Sequence, residues 1–531
     1  MPSALLGLSL LAGKTGSTGG TVFHAVNPAT GEPLAPDFHE ASLAEVDTAL
    51  NAAAAAFEIY RAVPAEQRAQ LLDTIAAEIE ALGDALLTRA NLETGLPLPR
   101  LTGERARTCG QLRLFASVVR EGSWVDARID SALPDRQPLP RPDLRRMLIA
   151  LGPVVVFGSS NFPFAFSVAG GDTASALAAG CPVVVKAHRA HAGTAEMVGH
   201  AVVRAVAACG LPAGLFSLVH GGGSTVGIAM VKHPAVTAVG FTGSHAAGRA
   251  LCDAAASRPH PIPVFAEMSS LNPVFLLPGA LRDRAPAIAT GLCGSFTLGV
   301  GQFCTKPGLV FALRGADTSA FLEKLATAVQ GAACATMLTP SIRTAFLENR
   351  AAVTGLAGVT LLAAAAGPDA KKTEAQPSVA VTTAQNFLAH PTLATEAFGP
   401  FTLVVTAENT AELTACARAL EGQLTATLHG NADDLAAAAP LVALLEQKAG
   451  RLVLNAFPTG VEVSPAMNHG GPSPAASDTR FTSVGTAALL RFARPICYQS
   501  FPAALLPAAL QDTNPLGLMR LVNNQRTTAG L

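Results

Sequence analysis

Charge is what this sequence has least of. Only 14% of its 531 residues are charged, and 37 Lys and Arg against 38 Asp and Glu leave a formal net charge of −1. No basic tract or acidic tail interrupts that balance, so the chain carries no electrostatic footprint for nucleic acid. Paired cysteine spacing is also lacking. The nine cysteines are scattered and odd in number, which argues against a disulfide framework or a zinc site and for a reducing compartment, with the cytoplasm as the default. Long hydrophobic runs are missing too. The run at 5–11 is short and no Lys or Arg precedes it, so it fits neither a signal peptide nor a spanning helix, and no membrane partner is expected. What is abundant is apolar residues, which make up half of the chain. A chain this long exceeds one core, so two or three domains are expected. Low charge with abundant apolar surface points to self-association as a homodimer or homotetramer.

Residues 1–40 are rich in Gly, Thr and Pro, and Val26-Asn27-Pro28-Ala29-Thr30-Gly31-Glu32 reads as a turn. Gly13-Lys14-Thr15 resembles the end of a phosphate loop, but Leu8 stands where the first glycine belongs and no strand-like run precedes it. From 43 to about 116 the pattern is helical, with Leu71, Leu72, Ile75, Ile79 and Leu82 at three- and four-residue steps. Pro64 and Gly95-Leu96-Pro97 divide it into separate helices. Residues 126–147, with four prolines among recurring charges, read as an extended arm. Buried-strand runs then alternate with helices: Val154-Val155-Val156-Phe157, Pro182-Val183-Val184-Val185-Lys186, Phe216-Ser217-Leu218-Val219 and Ala238-Val239-Gly240-Phe241. A looser alternation covers 273 to about 405. This is the signature of α/β folding with parallel sheets and crossover helices. The remainder from 453 is rich in Gly and Pro and contains a strand-like stretch at 486–496.

Several turns offer chemistry. In Gly301-Gln302-Phe303-Cys304-Thr305-Lys306-Pro307-Gly308 a cysteine lies among turn-forming residues, which can present a nucleophilic thiolate beside a free backbone N–H; a small buried apolar cysteine is the alternative. Gly221-Gly222-Gly223-Ser224-Thr225-Val226-Gly227 follows a strand and opens a helix, as phosphate-binding turns do, although its spacing is not G-x-G-x-x-G. Lys186 ends a strand, where such sheets place ligands, and equally reads as a solvated strand end. His188 and His191 lack a third ligand nearby, so no metal is expected. Phe241-Thr242-Gly243-Ser244 is a second small-residue turn. Glu267 is a lone acid in an uncharged stretch, which raises a carboxyl pKa toward that of a useful base; a structural acid is the alternative. Asn161, in Gly158-Ser159-Ser160-Asn161-Phe162-Pro163-Phe164, can donate to an oxyanion or cap a turn.

Asn161, Lys186, the Gly221 loop, Gly243-Ser244, Glu267, Cys304 and Glu396-Ala397-Phe398-Gly399-Pro400 occur in an order that resembles the aldehyde dehydrogenase superfamily over nearly the whole chain. The resemblance implies two Rossmann-like parallel-sheet domains and a small β oligomerisation arm. It divides the chain into a cofactor-binding domain (1–125 and 148–268), a catalytic domain (269–470) and the arm (126–147 and 471–531). It implies Cys304 as nucleophile, Glu267 as general base, and Asn161 with the Cys304 N–H as oxyanion hole. The nicotinamide cofactor would be held by Lys186, Gly223, Gly227, Gly243, Ser244, Glu396 and Phe398. Arg189 stands three residues after the lysine, where many NAD-using relatives carry a glutamate, and suits a 2′-phosphate; NADP is expected, with NAD left open. Phe457-Pro458-Thr459-Gly460-Val461-Glu462-Val463, His469-Gly470-Gly471-Pro472, Thr479-Arg480-Phe481-Thr482-Ser483-Val484-Gly485 and Arg494-Pro495-Ile496-Cys497-Tyr498 are similar to the α-ketoglutaric semialdehyde (2,5-dioxovalerate) dehydrogenase branch, which implies a carboxylate-bearing aldehyde as substrate. Lys306 is a candidate for that carboxylate, or for lowering the thiol pKa, and a side chain pointing away is preferred. Phe162, Phe164 and Phe166 suit a pocket wall or a packed core. The competing readings are a fatty-aldehyde dehydrogenase, a non-catalytic protein on the same scaffold, and a cysteine hydrolase; the last is disfavoured because no His lies in a recognisable partner motif.

Overall fold

The computed structural model describes residues 5–369 and 372–531. Valine runs build the first sheet. Val154–Phe157, Val183–Lys186, Phe216–Val219, Ala238–Thr242 and Val264–Glu267 are parallel neighbours in the order 264–238–154–183–216. Nearly all of their side chains are buried on both faces, as β-branched residues of a covered parallel sheet are. The hairpin Leu10–Leu11 and Lys14–Thr15 continues the edge antiparallel, so Gly13-Lys14 lies in a hairpin rather than a phosphate loop. A buried Glu196 carboxylate accepts from the backbone N–H groups of Leu6 and Gly7 and fixes that edge.

Of the first four helices, Leu43–Tyr60 packs on this sheet, and Ala65–Glu80, Gly83–Thr94 and Leu98–Glu121 pack on its crossover helices Gly171–Ala179 and Ala192–Ala208. The first opens on a Ser42–Glu45 capping box, a local device that satisfies otherwise orphaned N–H groups. Breaks fall at Pro64 and Gly95–Pro97, and a further one at 81–82 separates the second helix from the third.

The second sheet has the order 360–378–401–309–274–423–449, built from Thr360–Ala364, Ser378–Thr383, Phe401–Ala407, Leu309–Leu313, Val274–Leu276, Gln423–His429 and Ala449–Leu454. All neighbours are parallel except Thr360–Ala364. The alternation therefore continues past 405, to Leu454.

A separate five-stranded sheet joins Arg128–Asp130 and Leu144–Ala150 to Ala493–Gln499, Arg520–Val522 and Gln525–Thr527. The strand-like reading of 486–496 needs correction. Thr486–Phe492 is a 3-10 helix, whose Ala488, Leu489 and Phe492 are buried against the first core, and the strand begins at Ala493. Tertiary burial of three apolar residues at helical spacing outweighs local strand preference there. Among the described residues no helix is long and apolar enough to cross a membrane.

Candidate active site

Cys304 owes its position to a strained turn. The helix Pro278–Thr297 is followed by Gly299, Val300 and Gly301, all with positive φ (56°, 58° and 66°). A β-branched residue in that region costs about 1–3 kcal/mol, so the surroundings must impose it. At Gly301 a Cβ would stand 2.2 Å from the Gly399 carbonyl oxygen; only glycine allows this turn to lie against the 396–400 segment. From the other side the Asn272 amide donates to the carbonyls of Cys304 (2.8 Å) and Lys306 (3.0 Å). Gln423 in turn accepts from the Leu271 and Asn272 N–H groups.

Two further residues meet the thiol there. His469 Nε2 lies 3.5 Å from Cys304 Sγ and 3.0 Å from Glu267 Oε1. The ligating atoms of Glu267, Cys304 and His469 all lie within 4.8 Å of one another. Ser483 donates its hydroxyl to Glu267 Oε2. Glu267 is thus no lone acid, and the expectation of a raised pKa is corrected: burial pushes its carboxyl up, but the His469 ring and the Ser483 hydroxyl outweigh burial and hold it below its usual value. The Cys304 thiol moves the other way, held well above its ordinary value by burial and then by Glu267. His469 and Ser483 lie in motifs that carried the family resemblance; nothing local to either motif announces that it folds against the thiol.

The Asn161 loop is braced from the helix Leu98–Glu121. Arg100 donates to the Asn161 carbonyl (2.8 Å), and Glu104 accepts from the Phe164 and Ala165 N–H groups. His191 bonds the Ser159 carbonyl (2.8 Å), which gives this histidine a local structural partner. The Asn161 amide donates one hydrogen to the Gln302 carbonyl (3.0 Å), beside the Cys304 turn, and keeps its second.

A cavity of about 740 Å³ opens from this cluster between the two sheets; Asn161, Gly243, Ser244, Glu267, Cys304, Glu396 and Phe398 all line it. Lys186, Arg189, Gly223 and Gly227 do not line this cavity. Lys186 ends the strand neighbouring Val154–Phe157, is buried, and among the described residues donates only to the adjacent Ala187 carbonyl (3.1 Å); burial pushes its pKa down to about 8. Gly223–Gly227 forms one wide turn before the short helix Ile228–Lys232. A Cβ on Gly227 would stand 2.9 Å from the Phe157 ring, whereas Gly223 faces open space. Arg189 stacks over Phe23 (4.9 Å) and is paired with Glu40. Two hydroxyls lining the cavity, Ser159 Oγ and Thr242 Oγ1, are buried without a hydrogen-bond partner, as expected of a cleft that receives a polar ligand.

Lys306 points away from the cavity. It is buried and donates to the Ala397 (2.8 Å) and Phe401 (3.1 Å) carbonyls, bracing the turn that carries Glu396 and Phe398. Phe162 and Phe166 pack with Phe303 and Val484 in an apolar cluster beside Cys304, while Phe164 belongs to the main core.

Residues 15–478 match the aldehyde dehydrogenase family. The chain is 54% identical over 520 residues to "Alpha-ketoglutaric semialdehyde dehydrogenase 2" of Azospirillum brasilense, covering 97% of this chain and 98% of the relative. It is 46% identical over 522 residues to "Alpha-ketoglutaric semialdehyde dehydrogenase" of Acinetobacter baylyi, covering 98% and 99%. The solved structure of 3,6-anhydro-L-galactose dehydrogenase shares the fold, with a TM-score of 0.79 at 22% identity over 93% of this chain and 99% of that one. A thiol, an acid and an amide gathered where a cleft meets two Rossmann-like sheets, in a chain alike over nearly its full length to named semialdehyde dehydrogenases, place this protein in the aldehyde dehydrogenase family as an enzyme that oxidises aldehydes.

Proposed function

We propose that this enzyme oxidises 2,5-dioxopentanoate to 2-oxoglutarate, with NADP as its preferred cofactor, through a thioester on Cys304. The observation that carries the reading is the meeting of Cys304, Glu267 and Asn161 on one cavity, together with the names of the two full-length relatives.

Glu267, held ionised, takes the Cys304 proton as sulfur adds to the aldehyde carbon. The carbonyl oxygen becomes an oxyanion, which the free Asn161 N–H and the Cys304 backbone N–H stabilise. Donors of this kind lower the barrier by about 3–4 kcal/mol each when they are preorganised. When bound, a nicotinamide dinucleotide would supply the hydride acceptor that the step from this adduct to a thioester requires. After Glu267 has released that proton to solvent through the cavity, it removes a proton from water attacking the thioester carbon; the carbon–sulfur bond breaks, the departing Cys304 sulfur takes this second proton from Glu267, and the acid leaves. His469 and Ser483 keep the Glu267 carboxylate oriented between these two tasks. In this reading Lys186, Arg189, Gly223 and Gly227 hold the dinucleotide along the sheet edge, and Gly243, Ser244, Glu396 and Phe398 hold it in the cavity. The unpartnered Ser159 and Thr242 hydroxyls and the under-used Lys186 ammonium support the fit.

NADP preference rests on Arg189, whose guanidinium must exchange Glu40 for a 2′-phosphate. Arg189→Glu should raise the KM for NADP far more than that for NAD; an equal rise for both rejects the assignment. A burst of NADPH absorbance on mixing with 2,5-dioxopentanoate tests the catalytic reading. Comparable kcat/KM on decanal would reject the narrow substrate and leave the family intact.

We also propose domains of 1–125 with 148–268, 269–470, and an arm of 126–147 with 471–531. The arm has an open edge at Ala493–Gln499 and exposes Leu133, Leu139, Phe501 and Leu505, which suits pairing in a homodimer or homotetramer. All nine cysteines are free, in keeping with the cytoplasm.

A further inference from the structure

Among the described residues, three metal-ligating side chains of different chemistry converge at one place. Glu267, Cys304 and His469 offer a carboxylate oxygen, a sulfur and an imidazole nitrogen, all within 4.8 Å of one another. Cys304 and His469 are 165 residues apart in the chain, so no ligand spacing announces the group. The separations suit one shared ion. Zinc binds such atoms in a tetrahedron with bonds of about 2.0–2.3 Å, which sets neighbouring ligand atoms about 3–4 Å apart. His469 Nε2 lies 3.5 Å from the Cys304 sulfur and 3.0 Å from Glu267 Oε1.

The ligands are also held in place. The Thr482 hydroxyl oxygen accepts from the His469 N–H (2.7 Å), Ser483 donates to Glu267 Oε2, and Asn272 donates to the Cys304 carbonyl (2.8 Å). Little ordering is then left for binding to impose. Glu267 Oε1, the oxygen facing His469, is buried without a hydrogen-bond partner, an acceptor that an ion would satisfy. A sulfur anion and a carboxylate this close, away from water, repel each other. A dication between them replaces that repulsion with two attractions. One sulfur, one nitrogen and one oxygen suit zinc rather than magnesium or calcium, which take oxygen ligands. Glu267 and Cys304 line the cavity of about 740 Å³, and His469 is fully buried, so the ion's way in is from the cavity.

We infer that Glu267, Cys304 and His469 form a reversible inhibitory site for zinc. The thiol proton leaves to solvent as the sulfur takes the ion, and a water from the cavity fills the fourth position. With zinc bound, the Cys304 sulfur cannot add to a carbonyl and Glu267 cannot activate water. The inhibition rests on the roles proposed above for Cys304 and Glu267; the metal site rests on geometry alone.

The test adds cobalt(II), a spectroscopic stand-in for zinc, to the full-length enzyme. One equivalent should give tetrahedral d–d bands and a sulfur-to-cobalt charge-transfer band, and zinc should erase both. Cys304→Ala should lose the charge-transfer band, and His469→Ala should lose tight binding. Zinc should also suppress alkylation of Cys304 by iodoacetamide, read on the labelled peptide by mass spectrometry. A chelator should restore the labelling, and magnesium should not affect it. Ser483→Ala, which removes a hydrogen bond from the ligating carboxylate, should weaken zinc about 10- to 100-fold. A charge-transfer band that persists in Cys304→Ala, or zinc protection unchanged in His469→Ala, overturns the inference. If His469→Ala does not fold, Ser483→Ala decides: unchanged zinc affinity overturns the site. Active enzyme that takes up no cobalt overturns it too, and leaves the proposed catalysis intact. Cobalt bands that require Cys304, with turnover undiminished, would keep the metal site and overturn both the inhibition and the catalytic role proposed for Cys304.

Discussion

Lys186 and Lys306 make an instructive pair, one ending a strand of the first sheet and one in the turn before the Leu309–Leu313 strand of the second. Both are buried, and burial pushes both down to about 8. Burial and titration alone do not tell them apart; their hydrogen bonds do. Lys306 donates to two carbonyls and holds the Glu396–Phe398 turn closed. Lys186 donates only to its neighbour's carbonyl and keeps N–H groups for a ligand. A buried cation with spent donors is scaffold; one with donors left over awaits an anion.

The proposed catalytic cluster gives the largest expected effects. Asn161→Ala should lower kcat about 10²–10³-fold, as loss of one oxyanion donor does, with little change in thermal stability; an unaltered kcat in single-turnover measurements would assign Asn161 to the turn alone. Glu267→Gln should abolish steady-state turnover to a similar degree, and it should also lower the midpoint of Cys304 alkylation with pH. The sign follows from the causes: burial and the Glu267 charge both hold the thiol up, and this substitution removes the second.

The lysine pair is sharpened by a matched substitution. Lys306→Met should destabilise the fold by about 2–4 kcal/mol, because two carbonyls lose their donor inside the protein. Lys186→Met should leave the melting temperature nearly unchanged and raise the KM for NADP about tenfold. If the two variants behave alike, counting free donors is no guide here. The Lys186 charge also sets a pH dependence. If Lys186 holds a cofactor phosphate as proposed, affinity for NADP should be full below about 8 and decline as pH rises through that value; Lys186→Met should flatten this limb. The smallest effect is expected from Glu40→Gln, which frees Arg189 from a partly exposed ion pair. The NADP-to-NAD preference should rise severalfold, measured as a ratio of kcat/KM values.

Much of this was legible beforehand, for identifiable reasons. Valine runs between helix-forming stretches announce parallel strands because both patterns are local. Cys304, Asn161 and Glu267 stood out as candidates because each sits in a turn of unusual composition, and their order along the chain resembles that of a family. Glu267 was misread electrostatically. Its pKa depends on His469 and on Ser483, the latter 216 residues further on, and no local pattern reports a neighbour that distant. The stretch 486–492 resembled a strand until packing against the first core made a helix of it.

The sequence by itself determined the alternation of elements, the glycine that lets the Cys304 turn close, and the residue types that can act as nucleophile, base and oxyanion donor. These follow from side-chain chemistry and short-range sterics. Only the tertiary structure decided which histidine meets the thiol, which way Glu267 is shifted, and which buried cations have donors left. Those properties depend on the distance and the remaining hydrogen-bond capacity of groups far apart in the chain, which are settled when the two sheets close on one another.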